Sequence, residues 1–318
     1  MRRLLWGVLI AGSAALALPV GGIWIYSGSY GLHVLLRNGG AYWISVKSDD
    51  PRLSASIRLA LGEPPPATPG DFAWRSVAQG FEVADLPVTA AGAEVDRLLL
   101  ARIDPARFRF AVFNSPAGDK NLDQWMAHLG AALVINGSYY SRDGRPDTPF
   151  LSAGTLMGPK DYDARAGAFV ASPAFAGVRD LALQSWQEAF RGAHDAMVSY
   201  PLLLSEQRAN LVVRASRWLA NRSFVGQDKD GRIVLGTTSD AFFSLERLAA
   251  FLRQAPLGLT LALNLDGGPV ACQGISIKGF ERKFSGKWEL QVQGGDVKLL
   301  TWPYGTGAMP IVLAVFPK

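Results

Sequence analysis

From Phe72 onward the chain breaks into short apolar or alternating runs separated by turn residues, and no other feature constrains the fold as strongly. The stretches "RLLLARID", "RFRFAVFN", "AALVINGSYY", "SFVGQD", "RIVLGTT", "LTLALNLD" and "KWELQVQG" each have the length and composition of a strand. Helical patterns are fewer. One is "NLDQWMAHLG", between two such runs, and another is "SLERLAAFLRQA", capped by Ser244, just before the run that ends at Asp266. This order predicts a strand-rich α+β domain of mixed or antiparallel sheets flanked by helices.

Composition bounds the chemistry. The 318 residues, 49% of them hydrophobic, can fill a core without cross-links. Cys272 is the only cysteine, so no intrachain disulfide forms, and His33, His128 and His194 are too scattered for a zinc site. No metal or cofactor is expected. The net charge is +5, but the 32 basic residues are dispersed singly and no recognition motif accompanies them, so nucleic acid is not an expected partner.

The N-terminus carries an address. After "MRR", residues Leu4 to Tyr26 contain no charge, long enough at about 1.5 Å per residue to cross a hydrocarbon core of about 30 Å. The preceding arginines and Trp24 and Tyr26 fit an N-in anchor with the remainder exported to the periplasmic or extracellular side. The alternative is a cleaved signal peptide, for which Ala15 to Ala17 supply small residues. Residues 31–71 read as a spacer: Asp50 and Pro51 start a short helix that runs to Leu61, and "GEPPPATPGD" makes a stiff linker. The expected division is a membrane segment over 1–30, a spacer over 31–71 and a globular domain over 72–318.

Three stretches carry candidate chemistry. In "LALNLDGGPVACQG" an apolar strand stops at Asp266, Gly267 and Gly268; paired glycines permit either a turn or close approach of a ligand to the backbone. "AALVINGSYY" ends the same way at Asn136 and Gly137, followed by Tyr139 and Tyr140, although Asn-Gly is also a hairpin signal. "NRSFVGQDKDGRIVLG" places Arg222 before a strand, where a solvated cross-strand partner is the plain alternative.

The order and spacing of the three resemble the phosphodiester glycosidase domain family, over most of residues 80 to 318. "INGSYY", "NRSFVG" and "LNLDGGPVA" stand where that family has "NGGFF"-like, "RTAIG"-like and "LNLDGGGSS"-like motifs, while "SYPLLLSEQR" and the closing "MPIVLAVF" resemble further family segments. Asn136, Gly137, Arg222, Gly226, Asn264, Asp266, Gly267 and Gly268 match; Ser138 replaces a glycine, and Pro269, Val270 and Ala271 replace a glycine and serines.

The resemblance implies a hydrolase cleaving a glycosyl phosphodiester or a related cell-envelope saccharide. Arg222 would hold phosphate, Asp266 would stabilise the sugar or activate water, and Asn136 would bond hydroxyls. Gly137, Tyr139, Asn264, Gly267 and Gly268 would contact substrate. Asp143, Asp147, Glu206 and Asp240 are candidates for a second carboxylate. Cys272 reads as a buried filler and Tyr140 equally as core. The altered "GGPVA" leaves a second class open, a saccharide-binding or envelope-assembly module without catalysis.

Overall fold

The computed structural model describes residues 42–62, 64–162, 166–208, 217–293, 296–301 and 308–318, with the isolated positions 19 and 21. The expected membrane segment, Leu4 to Tyr26, lies outside them; among the described residues no helix is long and apolar enough to cross a membrane.

The fold is a strand-dominated α+β architecture in which every described ladder is antiparallel. An eight-stranded sheet forms its centre, in the order Leu202–Ser205, Leu259–Asn264, Ser223–Asp228, Ile233–Thr238, Ala93–Ile103, Phe81–Ala90 and Thr68–Pro69, with Arg75–Ala78 also pairing to Phe81–Ala90. Its middle strands are covered on both faces. Phe224, Val234 and Ala262 belong to one hydrophobic cluster, whereas their neighbours Val225, Leu235 and Leu263 belong to another. Hence "SFVGQD" and "RIVLGTT" read as nearly continuous apolar runs.

One face packs on a five-stranded sheet, Phe280–Ser285, Cys272–Ile277, Leu133–Asn136, Ile311–Pro317 and Phe108–Asn114, through Ile135, Phe110 and Leu313. Another five-stranded sheet, Ala176–Asp180, Gly167–Ala171, Asp195–Ser199, Phe150–Ser152 and Thr155–Met157, adds Phe150, Phe169 and Met197 to the same core. The opposite face receives helices Ala55–Leu61 and Leu245–Gln254 and a four-stranded sheet ordered Tyr42–Val46, Asp296–Thr301, Glu289–Gln293 and Trp218–Ala220. Helix Leu122–Leu129 starts with a capping box between Asn121 and Gln124, and Ser244 caps Leu245–Gln254 by accepting from Arg247 N at 3.2 Å.

Residues 42–71 depart from the expected spacer and linker. The helix begins at Ala55 with Ser54 as its cap; Asp50 instead accepts from Arg52 N at 3.0 Å and pairs with the Arg52 guanidinium. Leu53 and Ile57 are 2% and 0% exposed in the core, and Thr68–Pro69 joins the eight-stranded sheet. A boundary at Phe72 would therefore cut through packed structure: the prolines stiffen this stretch, but its apolar residues still have to leave water.

Candidate active site

The strand Leu259–Asn264 ends on a carboxylate because the chain there crosses from one sheet to the next. Leu265 N still donates to Ser223 O at 2.9 Å within the central sheet, but Asp266 N donates to Gly137 O at 3.0 Å, at the end of strand Leu133–Asn136. Asn136 fixes the crossing: its Nδ2 donates to Asp266 O at 2.7 Å and its Oδ1 accepts from Cys272 N at 3.1 Å. The two bonds clamp both ends of the loop 266–272. At Gly137 a Cβ would collide with Ile311 Cγ2, and Gly268 adopts φ 71°, with the Glu289 carboxylate packed where its Cβ would stand.

Arg222 enters from the central sheet. Its backbone N donates to Thr238 Oγ1 at 2.9 Å, its Nε to Phe243 O at 3.3 Å and its Nη2 to Trp218 O at 2.7 Å. These bonds orient the guanidinium so that Nη1, which has no hydrogen-bond partner among the described residues, lies beside Gly267. Burial pulls the Arg222 pKa down, opposed by the charges of Glu289 and Asp266 nearby, and an arginine so placed stays cationic.

Two carboxyls face this cation. Burial raises Asp266 from 3.8 to about 7, the Gly267 N–H opposes the rise, and the charges of Glu289 and Asp147 add to it. Gly267 N donates to Asp266 Oδ1 at 2.8 Å. Glu289 is also raised by burial, with a hydrogen bond from Trp218 Nε1 to its Oε1 at 3.0 Å and the Arg222 charge opposing. Trp218 and Glu289 come from neighbouring strands of the four-stranded sheet, where Ala220 pairs with Glu289. The groups surround a cleft of about 210 Å³ lined by Tyr139, Trp218, Arg222, Leu245, Asp266, Gly267 and Glu289. Leu245 opens its helix, so the positive end of the helix dipole lies at the cleft.

Of the residues expected from the sequence, Tyr139, Arg222, Asp266 and Gly267 line the cleft. Asn136, Gly137 and Gly268 shape the loop behind it. Asn264 is placed beneath: it is 0% exposed, and its Nδ2 donates to Tyr139 Oη at 2.7 Å and Tyr200 O at 3.1 Å. It props a stacked pair, Tyr139 on Tyr200, with centroids 4.3 Å apart and planes at 18°. Burial and the Asp266 charge push the Tyr139 phenol upward, so it stays protonated. Tyr140 packs against the core and bridges to Pro146.

The four acids expected as a second carboxylate fare differently. Asp143 is exposed and bonded to Ser141 and Arg145, Glu206 is exposed, and Asp240 accepts from Ser54 Oγ at 2.9 Å, tying the helix Ala55–Leu61 to the core. Asp147 is half-buried, its pKa is raised by burial, and its Oδ1 has no partner among the described residues. Glu289, Trp218 and Tyr200 are the contributors the sequence did not single out. Cys272 is buried and its thiol is pushed up to about 12, which suits a filler. Among the described residues no cluster of histidine, cysteine and carboxylates could hold a metal ion.

An arginine edge, two perturbed carboxyls and an aromatic ring thus meet in one cleft. Residues 129–272, which include Asn136, Arg222 and Asp266, match the model of the family described as phosphodiester glycosidase, so the resemblance drawn from the motifs holds over that segment. No curated protein matches the chain. Among solved structures, a hypothetical protein from Synechocystis shares 14% identity at a TM-score of 0.51, covering 78% of this chain and 64% of its own, a likeness of fold alone. The catalytic domain of zebrafish N-acetylglucosamine-1-phosphodiester alpha-N-acetylglucosaminidase, auto-inhibited by its pro-peptide, shares 14% identity at a TM-score of 0.49, with 89% of this chain and 91% of that one covered.

Proposed function

We propose that the protein hydrolyses a glycosyl phosphodiester, cleaving the bond between the sugar carbon and the phosphate oxygen. The observation that carries this reading is the convergence of Arg222 Nη1, without a hydrogen-bond partner among the described residues, with the carboxyls of Asp266 and Glu289 around one cleft. The guanidinium edge neutralises the phosphate, and burial strengthens that attraction. The sugar lies against Tyr139 with Asp266 beside its anomeric carbon; ionised Asp266 takes a proton from the attacking water, a role suited to a carboxyl that titrates near neutrality. Glu289, raised by burial against the opposing Trp218 hydrogen bond and Arg222 charge, is the proton donor to the departing phosphate oxygen in this reading. The water oxygen joins the sugar, and the products are a free sugar and a phosphate monoester.

A saccharide-binding module without catalysis is the second reading, favoured by Pro269, Val270 and Ala271 standing where the family has a glycine and serines. In this chain those three positions are buried and none of them lines the cleft. The deciding experiment is turnover of a panel of sugar phosphodiesters by the full chain and by Arg222→Lys. Hydrolysis that falls on phosphodiesters more than on neutral glycosides supports the proposal. Saccharide binding without release of phosphate monoester from any member puts the binding module ahead.

A further inference from the structure

Beside Arg222 the cleft has an aromatic wall, and a second indole, outside the lining itself, backs onto it. Trp218 lines the cleft, and Trp43 stands edge-on to Trp218 with ring centroids 5.6 Å apart and planes at 88°. Trp43 is 39% exposed. It arrives on Tyr42–Val46, one edge of the four-stranded sheet whose other edge carries Trp218, and it lies outside the family-matched segment 129–272. Leu245 adds an aliphatic surface to the same cleft. Trp218 Nε1, the polar atom of its indole, is bonded to Glu289, so this wall presents mainly apolar surface.

We propose that Trp43, Trp218 and Leu245 form a subsite for an apolar alkyl or aryl group attached to the phosphate on the side away from the sugar. The inference rests on the phosphodiester reading and deepens it by naming the class of leaving group, the phosphate monoester of an apolar alcohol. A hydrocarbon chain laid along indole faces and a leucine leaves water without losing hydrogen bonds. A second sugar ring there would exchange hydrated hydroxyls for contact with the Leu245 and Trp43 side chains and gain less than a hydrocarbon does.

The test is calorimetric binding of inorganic, methyl and hexyl phosphate to the full chain, read as an affinity ratio. Hexyl phosphate is expected to bind at least about tenfold tighter than methyl phosphate, a modest share of what burying its extra methylenes would give. Trp43→Ala should reduce that ratio to about threefold or less, and Trp43→Leu, which keeps an apolar side chain, should fall between. Equal affinity for the methyl and hexyl esters in the unmodified protein, or an unchanged ratio in folded Trp43→Ala and Trp43→Leu, overturns the subsite. Chain-length-dependent binding without turnover of any glycosyl phosphodiester would sink the hydrolase reading and leave the subsite standing. Failure to bind any of the three phosphates overturns both.

Discussion

A carboxyl that ionises near pH 7 gives the site its sharpest test. If ionised Asp266 is the base and Glu289 the acid, the pH profile of kcat/KM is a bell, with a limb governed by Asp266 at about 7 and a falling limb that Glu289→Gln removes; a profile in which Asp266→Asn abolishes the falling limb instead would reassign Asp266 as the proton donor. Asp266→Asn keeps the shape and removes the charge, so kcat should drop at least about 100-fold. Stability moves the other way. A carboxyl whose pKa rises from 3.8 unfolded to about 7 folded binds more protons in the native state, so its contribution declines as pH increases across that window. Melting curves should therefore place Asp266→Asn at or above the unmodified protein at pH 8, with a flatter dependence on pH. A lower melting temperature across the range would show that the carboxylate holds the turn together. At Glu289, Gln substitution should lower turnover of phosphodiesters whose leaving group is a poor one more than of those whose leaving group is good, because only the former needs a proton donor.

At the level of elements, the loop 266–272 depends on one side chain. Asn136→Ala removes the bonds to Asp266 O and Cys272 N and leaves a buried carbonyl and N–H without those partners, which should cost about 2–4 kcal/mol in denaturant unfolding along with most activity. Asn136→Ala retaining full stability would mean the loop is held elsewhere. The motifs made Asn136, Arg222 and Asp266 legible because each pairs a polar residue with the glycine or strand end that seats it. What Asn136 does was not legible, since a clamp on backbone 130 residues away is visible only once the two sheets meet. Glu289 was hidden in "KWELQVQG": in an alternating strand an acid reads as the solvent-facing position, and only the packing of that strand over Gly268 turns it inward. Asn264, two residues before Asp266 in the motif, read as a contact because closeness in sequence does not say which strand residue points under the tyrosines.

For the whole molecule, the packing of residues 42–71 decides where the chain can be cut. A protein beginning at Phe72 lacks the buried Leu53, Ile57 and Ala60 and the edge strand Tyr42–Val46, and it should be less stable by several kcal/mol or insoluble beside one beginning at Tyr42. Equal melting temperatures for the two would make those residues an appendage. Leu4 to Tyr26, uncharged and preceded by two arginines, supports the proposal that the domain is exported and tethered. Alkaline carbonate extraction should leave the full chain with the membranes, and its release would dismiss the tether. Asn221, next to Arg222, bonds outward in four directions: its Oδ1 accepts from Lys287 N and Trp288 N, its Nδ2 donates to Thr238 O and Asp240 O, its own N donates to Trp288 O, and its carbonyl accepts from Gly268 N. The strand that carries Glu289 and the loop that carries Asp266 are thus riveted to one residue. The gap between the two carboxyls is set when the chain folds, and an incoming ligand finds groups that have already given up their freedom, so little ordering of the protein remains to weaken its binding.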